Sequence, residues 1–591
     1  MLFVYVNPTR QAHKPSAFNN MHFRNSMKQL LTTIVLLIIS IFQIVNAQNN
    51  LFIPPLLSGK NFNLNVQNGT ANWVAGQTTP TYGVNGNFLA PTLELWKGDQ
   101  VALTVYNTIN APTTMHWHGM HVPSMDDGGP HSIIYPNQSW TAAFKVMNPA
   151  ATCWYHPHGA HTTDLQVSKG LAGMIIVRDS QELALNLPRK YGIDDFPIIL
   201  QTKAFDVLYQ AAISTELDTL VMVNATPRAT LNIPAQMVRF RLLNGSSNRT
   251  FYVGLSTGDS MTVIGTDNGL LNHPYKCTRI MISNGERVEM ILDASNKQGQ
   301  SIQLMCYGSE IPKGIKGADS IGTGMASIMD YDLNPLNGAD YTLLNLTVTA
   351  PTPGAILSIP NNLASDIPFL AVNATVHRDL VFTPTDSMPA TMVMGPFHIN
   401  DTSYNEMHIN DTVYLNTTET WSIVNRTMIA HPFHVHDMHF YVHSINQNTI
   451  IPIDYQGRKD VVLVMPGDSL TFVTKFEDFA DPMVPYMYHC HLLHHEDDGM
   501  MGSFVVLDTT MHMGIGDQLM QEGILFPNPC HEYLSLKHSL KNTDQIHCWN
   551  ILGEEIPLEK INTTTLNTAS LKEGIYILQI NQLRYKFVKS N

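Results

Sequence analysis

The sequence predicts an all-β chain: three copies of one sandwich unit followed by a smaller β unit. Three observations carry this expectation. Short alternating runs such as Val101-Ala-Leu-Thr-Val-Tyr and Val238-Arg-Phe-Arg-Leu-Leu recur between Gly, Pro and Asn clusters, the period-2 pattern of half-buried strands. Three such strands end at Asn107, Asn244 and Asn425 and turn into a comparable following strand. Nine and eleven residues after Asn107 stand His116 and His118, and the same offsets after Asn425 give His434 and His436, but after Asn244 they give Val253 and Leu255. The outer copies thus carry paired histidines where the middle copy is apolar.

The 591 residues are 44% apolar and 14% charged, with 34 basic against 48 acidic side chains and a net charge of −14. That length suits about four units of roughly 150 residues. The charged fraction lies below the ~25% of average globular proteins, which excludes a disordered polyelectrolyte. No basic run points to nucleic acid, and the diffuse acidic surplus names no partner.

Residues 1–47 read as an N-terminal extension and a signal peptide over 27–47: one Lys, an apolar run from Leu30 to Val45, then Val45-Asn-Ala47 as a cleavage site. The run is too short to span a bilayer, and no other window is apolar enough. Units follow over 48–180, 181–345 and 346–509. The outer two echo each other again, since Trp154-Tyr-His-Pro-His158 runs on to Gly173-Met-Ile-Ile-Val and Met487-Tyr-His-Cys-His491 runs on to Gly502-Ser-Phe-Val-Val. Met511 to Gly516 reads as a linker to the last unit, 515–591. The six cysteines are too sparse for a disulfide scaffold, and locality makes Cys277 with Cys306 and Cys530 with Cys548 the candidate pairs.

Four clusters hold the chemistry: His116-Trp-His118-Gly, Trp154-Tyr-His156-Pro-His158, His431-Pro-Phe-His434-Val-His436, and His489-Cys-His491 with His495 and Met500 downstream. On a strand, residues i and i+2 share a face, so each paired motif offers two imidazoles to one site and Cys490 faces the other way. Cys490 with His431, His495 and Met500 makes the two-His, one-Cys, weak-Met set of a blue-copper centre. Eight further histidines exceed what one four-coordinate zinc ion uses and suggest a multinuclear cluster. His121, His131, His161, His439, His443 and His494 are read as structural, and Cys153 as a buried inert thiol.

These clusters, in order and spacing over residues 50–509, resemble the bacterial three-domain multicopper oxidases: copper-efflux oxidases, spore-coat laccases and bilirubin oxidases. The resemblance implies three consecutive cupredoxin-like Greek-key β-sandwiches binding four copper ions per chain. Type 1 copper falls to His431, Cys490, His495 and Met500, and type 2 to His116 and His434. The type 3 pair takes His118, His156, His158, His436, His489 and His491. It further implies electron transfer through Cys490 to its histidine neighbours, dioxygen reduction to water, and proton relay by Asp127 and Glu496, beside the bland Asp126 and Asp497. Phenols or aromatic amines are the leading substrate class, with Cu(I) or Fe(II) as the alternative. Met388, Met392, Met394 and Met428 are candidate thioethers, but the long Met- and His-rich insertion of efflux members is missing, and the stretch before His431 reads Arg426-Thr-Met-Ile-Ala. A non-catalytic copper-binding envelope protein calls for lost ligands, and a two-domain nitrite reductase for a missing third domain.

The tail, with Phe526-Pro-Asn-Pro529, Trp549-Asn-Ile-Leu-Gly553 and Leu571-Lys-Glu-Gly-Ile-Tyr-Ile577, resembles the C-terminal sorting domain of the Bacteroidetes secretion system. That implies partnership with secretion machinery, passage through the periplasm, and work outside the cell or on its surface.

Overall fold

The three asparagines that punctuate the repeat make the same turn three times. In a computed structural model of the chain, the strands Gln100–Asn107, Met237–Asn244 and Thr418–Asn425 each run parallel to an earlier strand, with Val66 opposite Asn107, Leu200 opposite Asn244 and Phe382 opposite Asn425. Each asparagine then accepts from the backbone N–H two residues on, at Ile109, Ser246 or Thr427. Its amide donates to two carbonyls: Ala111 and Ile134, Arg249 and Ile282, or Ile429 and Val464. This is the Asx turn that asparagine forms because its side chain imitates a backbone bend. Here it also anchors the next strand.

The structure describes residues 48–508 and 525–590, apart from 75, 213–216, 322–330, 332, 387–391 and, in the tail, 538, 542–543, 545, 551–554 and 582. The signal at 27–47, the linker at 511–516 and Met388 lie outside the described residues. The chain divides into two compact units, Met1–Val506 and Leu507–Asn591.

Within the first unit, each copy packs two sheets face to face. Sheets of four and four strands come first, then eight and six, then five and five, each pair enclosing its own apolar core. Alternation explains them: strand Gln100–Asn107 buries Val101, Leu103 and Val105, and strand Thr418–Asn425 buries Trp421 and Ile423. In the middle copy Val253 and Leu255 belong to the core, where the outer copies hold imidazoles. The second unit is a four-stranded and a three-stranded sheet around Leu534, Leu566, Leu578 and Phe587. No helix among the described residues is long and apolar enough to cross a membrane.

Buried ions join the copies. Arg241 meets Asp195 at 2.8 Å and Glu289 at 2.7 Å, and donates to Thr152 Oγ1 of the first sandwich at 2.9 Å. Arg239 bridges Glu182 and Glu289. Breaking such a buried pair leaves an uncompensated charge and is strongly destabilising.

His121 ties the first sandwich to the third, with Nδ1 2.8 Å from Asp437 and Nε2 3.3 Å from Asp478, its side chain 23% exposed. Burial alone lowers an imidazole's proton affinity, but Asp437 and then Asp478 outweigh it and raise His121 to about 10. A raised folded-state pKa contributes stability that is complete below the ordinary value near 6.5 and lost as pH rises through about 10. His121→Gln is therefore expected to cost about 1.5–3 kcal/mol at pH 7, the scale of a charge-assisted hydrogen bond. Melting curves of both proteins should converge towards pH 10; a gap independent of pH contradicts the ion pair.

The cysteine pairing expected from locality is corrected, since all six cysteines are free. Cys277 ends strand Gly269–Cys277 of the eight-stranded sheet, whereas Cys306 lies on Ser301–Tyr307 of the six-stranded one, so proximity in sequence places them in opposite layers. Cys530 and Cys548 share the tail core as small apolar thiols. Cys153 is fully buried, and burial pushes its thiol up to about 12, in keeping with an inert group.

Candidate metal centre

One antiparallel strand pair sorts the ligands. His431–Val435 lies against Asp481–Cys490 with His434 opposite His489 and Phe433 opposite Cys490. Because side chains alternate, Cys490 shares a face with Phe433 and His431, while His489 shares the other with His434. In the first sandwich a single bridge sets His116 opposite His156.

Eight buried imidazoles converge from the first and third sandwiches. Ligand atoms of His118, His156 and His491 lie within 4.8 Å of one another, as do those of His158, His436 and His489, and of His116, His434 and His436. Outer nitrogens are held by oxygens. Nδ1 of His116 meets Asp127 O at 3.0 Å, that of His434 meets Asp460 O at 2.8 Å, and that of His156 meets Pro157 O at 2.8 Å. His436 Nδ1 meets Asp127 Oδ2 at 2.7 Å, and His118 uses its Nε2 instead, 3.2 Å from Asp460 Oδ1. The inner nitrogens then face one another, with His158 Nε2 3.1 Å from His489 Nε2 and His118 Nδ1 3.4 Å from His156 Nε2.

The donor set fits a transition metal. Buried Nε2 of His116 and His434 and both nitrogens of His491 have no hydrogen-bond partner, a costly state that a cation relieves. Burial, reinforced by neighbouring imidazoles, holds His118, His156 and His434 well below the usual imidazole range and His436 and His491 at about 3. Neutral imidazoles keep the lone pair that coordination needs. Gly285 lets the backbone touch this cage: its φ is +83°, and a Cβ there falls 2.8 Å from His491 Cδ2.

On the opposite face, Cys490 Sγ lies 3.4 Å from His431 Nδ1 and 3.7 Å from His495 Nδ1. Thr427 Oγ1 holds His431 Nε2 at 2.7 Å and the Val393 carbonyl accepts from His495 Nε2 at 3.1 Å, so both inner nitrogens point at the sulfur. Met500 is buried in the same core, its N–H donating to His495 O and its carbonyl accepting from Cys490 N. Burial raises the Cys490 thiol well above its ordinary value.

Both expected carboxylates lie against the cage. Burial pushes Asp127 up, but His436 and His116 outweigh it and keep the group ionised; Oδ1 is 3.3 Å from His116 Nδ1. Glu496 sits between Nδ1 of His158 at 3.4 Å and Nδ1 of His489 at 3.1 Å, and these imidazoles likewise hold it below the carboxylate range against burial. Asp497 caps the helix Thr163–Lys169 of the first sandwich, accepting from Thr163 N and Asp164 N at 2.9 Å. Of the candidate thioethers, Met392 and Met394 pack half-buried against the third core and Met428 is half-buried.

Sequence reasoning missed Asp460 and Arg287. Asp460 supports His118 and His434, and Arg287 of the middle copy donates to Asp460 Oδ1 at 2.7 Å and to Thr152 O at 3.0 Å, so one guanidinium links all three sandwiches. Neither residue belongs to a spaced motif, and only the fold brings them to the histidines.

Comparison with known proteins agrees with this geometry. Profiles described as multicopper oxidase match residues 65–182, 203–316 and 374–510, and one described as a secretion system C-terminal sorting domain matches 524–590. The chain is 31% identical over 459 residues to the multicopper oxidase mco of Staphylococcus haemolyticus, covering 76% of this chain and 88% of that protein. It is 30% identical over 465 residues to the cell division protein FtsP of Xenorhabdus nematophila, covering 77% and 91%. A laccase-like multi-copper oxidase from Ochrobactrum sp. superposes with a TM-score of 0.68 at 29% identity, over 77% of this chain and all of that one. With its histidine cage, its separate Cys490 site and three family matches between residues 65 and 510, the chain belongs to the multicopper oxidase family: a copper oxidoreductase using oxygen, carrying a secretion sorting domain at its C-terminus.

Proposed function

We propose that the enzyme is laccase-like, oxidising phenols or aromatic amines one electron at a time and reducing dioxygen to water. In this reading His431, Cys490, His495 and Met500 hold type 1 copper, His116 and His434 type 2, and His118, His156, His158, His436, His489 and His491 the type 3 pair, four ions in all. The observation that carries it is the strand register that turns Cys490 to one face and His489 to the other. Copper, when bound, supplies one-electron acceptance at the Cys490 site and oxygen reduction at the cage. The chain supplies the rest. Cys490 is joined by one peptide unit to His489 and one to His491, a covalent route requiring no diffusing carrier. Complete burial keeps bulk water off both sites. Asp127 and Glu496, ionised beside His436, His116, His158 and His489, are placed to accept protons and pass them on to where water formation consumes them.

The phenol reading draws on the Ochrobactrum relative, whose oxidase activity is towards lignin model compounds, and on the missing methionine-rich insertion. A Cu(I) or Fe(II) oxidase draws on Met392 and Met394, which flank the Val393 carbonyl bonded to His495. The signal segment and sorting domain support export through the periplasm to the cell surface or beyond. Oxygen uptake by the copper-loaded full chain, with a simple phenol and Cu(I) compared and free-copper autoxidation subtracted, tests this. Faster uptake with phenol is expected; preference for Cu(I) overturns the phenol assignment, and no uptake by a fully loaded blue protein overturns turnover itself.

A further inference from the structure

The turn at 314–318 of the middle sandwich reaches the Cys490 site of the third. It is fixed there by backbone bonds: Ala430 N, next to His431, donates to Gly314 O at 2.8 Å, and Thr250 N donates to Lys316 O at 3.1 Å. Gly317 N adds a bond to Tyr331 Oη at 2.8 Å. From this turn Lys316 enters the interior, only 3% exposed, with Nζ 3.4 Å from His494 Nε2 and 4.0 Å from Met394 Sδ. His494 is itself buried, and its ring lies 4.2 Å from that of His495. A lysine cation thus sits one imidazole away from a proposed type 1 ligand, within the same buried volume.

We infer that Lys316 tunes the type 1 centre: its ammonium, bonded to His494 beside His495, biases the site towards its reduced state. The inference rests on the type 1 assignment proposed above. The physics is a charge balance. When the site accepts one electron its net charge falls by one, and a fixed positive charge nearby favours that less positive form, the more so where burial lowers the local dielectric. A site biased in this way extracts electrons from poorer donors, which suits neutral phenols better than readily oxidised metal ions.

The test is a redox titration of the blue absorption band in the copper-loaded full chain. Lys316→Met, which keeps the length of the stem and removes the charge, is expected to stay blue with a lower midpoint, on the order of a tenfold change in the reduced-to-oxidised ratio, or ~59 mV for one electron. Lys316→Arg, which keeps the charge, is expected to stay near the wild-type value. Should Lys316→Met fail to fold, Lys316→Gln removes the charge while keeping a polar end that can bond His494, and the same downward shift is expected. A blue wild type and a blue uncharged variant with one shared midpoint overturn the role of Lys316 alone. A wild-type chain that takes up copper without a blue band overturns the type 1 assignment beneath it.

Discussion

Cys490→Ser is expected to abolish the blue colour and reduce oxygen uptake to background while the histidine cage keeps its copper. The reason is the division of faces. Cys490 Sγ is the atom that His431 Nδ1 and His495 Nδ1 converge upon, at 3.4 and 3.7 Å, and a serine hydroxyl is neither a soft ligand nor readily ionised. The eight imidazoles of the cage lie on other strands or on the opposite face of the same strand, so their positions do not depend on the sulfur. Copper per chain is thus expected to fall by one ion, with the remainder retained. Serine fits the volume of cysteine, and the cost of its buried hydroxyl, about 1–3 kcal/mol, should show as a lowered melting midpoint rather than an unfolded chain. Retained turnover in a colourless protein is the result that contradicts the wiring. Copper loading of the wild type carries a second expectation. Burial holds the Cys490 thiol protonated, so uptake at this site must release a proton and should tighten as pH rises.

Much of this architecture was legible in the sequence because it rests on spacing. The alternation that exposes strands also fixes which face a histidine takes, so His434 and His436, or His489 and His491, could be placed together and Cys490 apart before any coordinates. The repeat was legible because Asn107, Asn244 and Asn425 each make a turn that few other side chains can make. Interactions that close the structure over long sequence distances were not. Asp460 lies 342 residues from His118, and Lys316 178 residues from His494, and neither belongs to a spaced motif. Locality misled at Cys277 and Cys306, which fall on different sheets around one core and are both free. His494 reads as a structural histidine in the sequence, and the fold puts it between Lys316 and His495.

Removing the carboxylates at the cage is expected to slow oxygen reduction without touching electron entry. Asp127→Asn is the informative change, because the asparagine carbonyl can still accept from His436 Nδ1, now 2.7 Å from Asp127 Oδ2, and so keeps that ring in place. What is lost is a group that can carry a proton. Positioned acids and bases contribute roughly 10²–10⁴-fold, and a fall of about 10²-fold in oxygen uptake is expected, with the blue band and its anaerobic reduction by substrate unchanged. Glu496→Gln should act alike at the other side of the cage, where the carboxylate sits between His158 and His489. The paired variant should lose more than either alone, since the two groups serve different faces of one reaction. The pH profile separates relay from scaffold. Without the carboxylates, protons must come from bulk water, so the variants' turnover should fall more steeply with rising pH than that of the wild type. Unchanged uptake at every pH in Asp127→Asn means that Asp127 only orients His436 and His116; slower uptake together with loss of cage copper means the same by a different route. Slow uptake with full copper and an altered pH slope is the outcome that assigns Asp127 the proton.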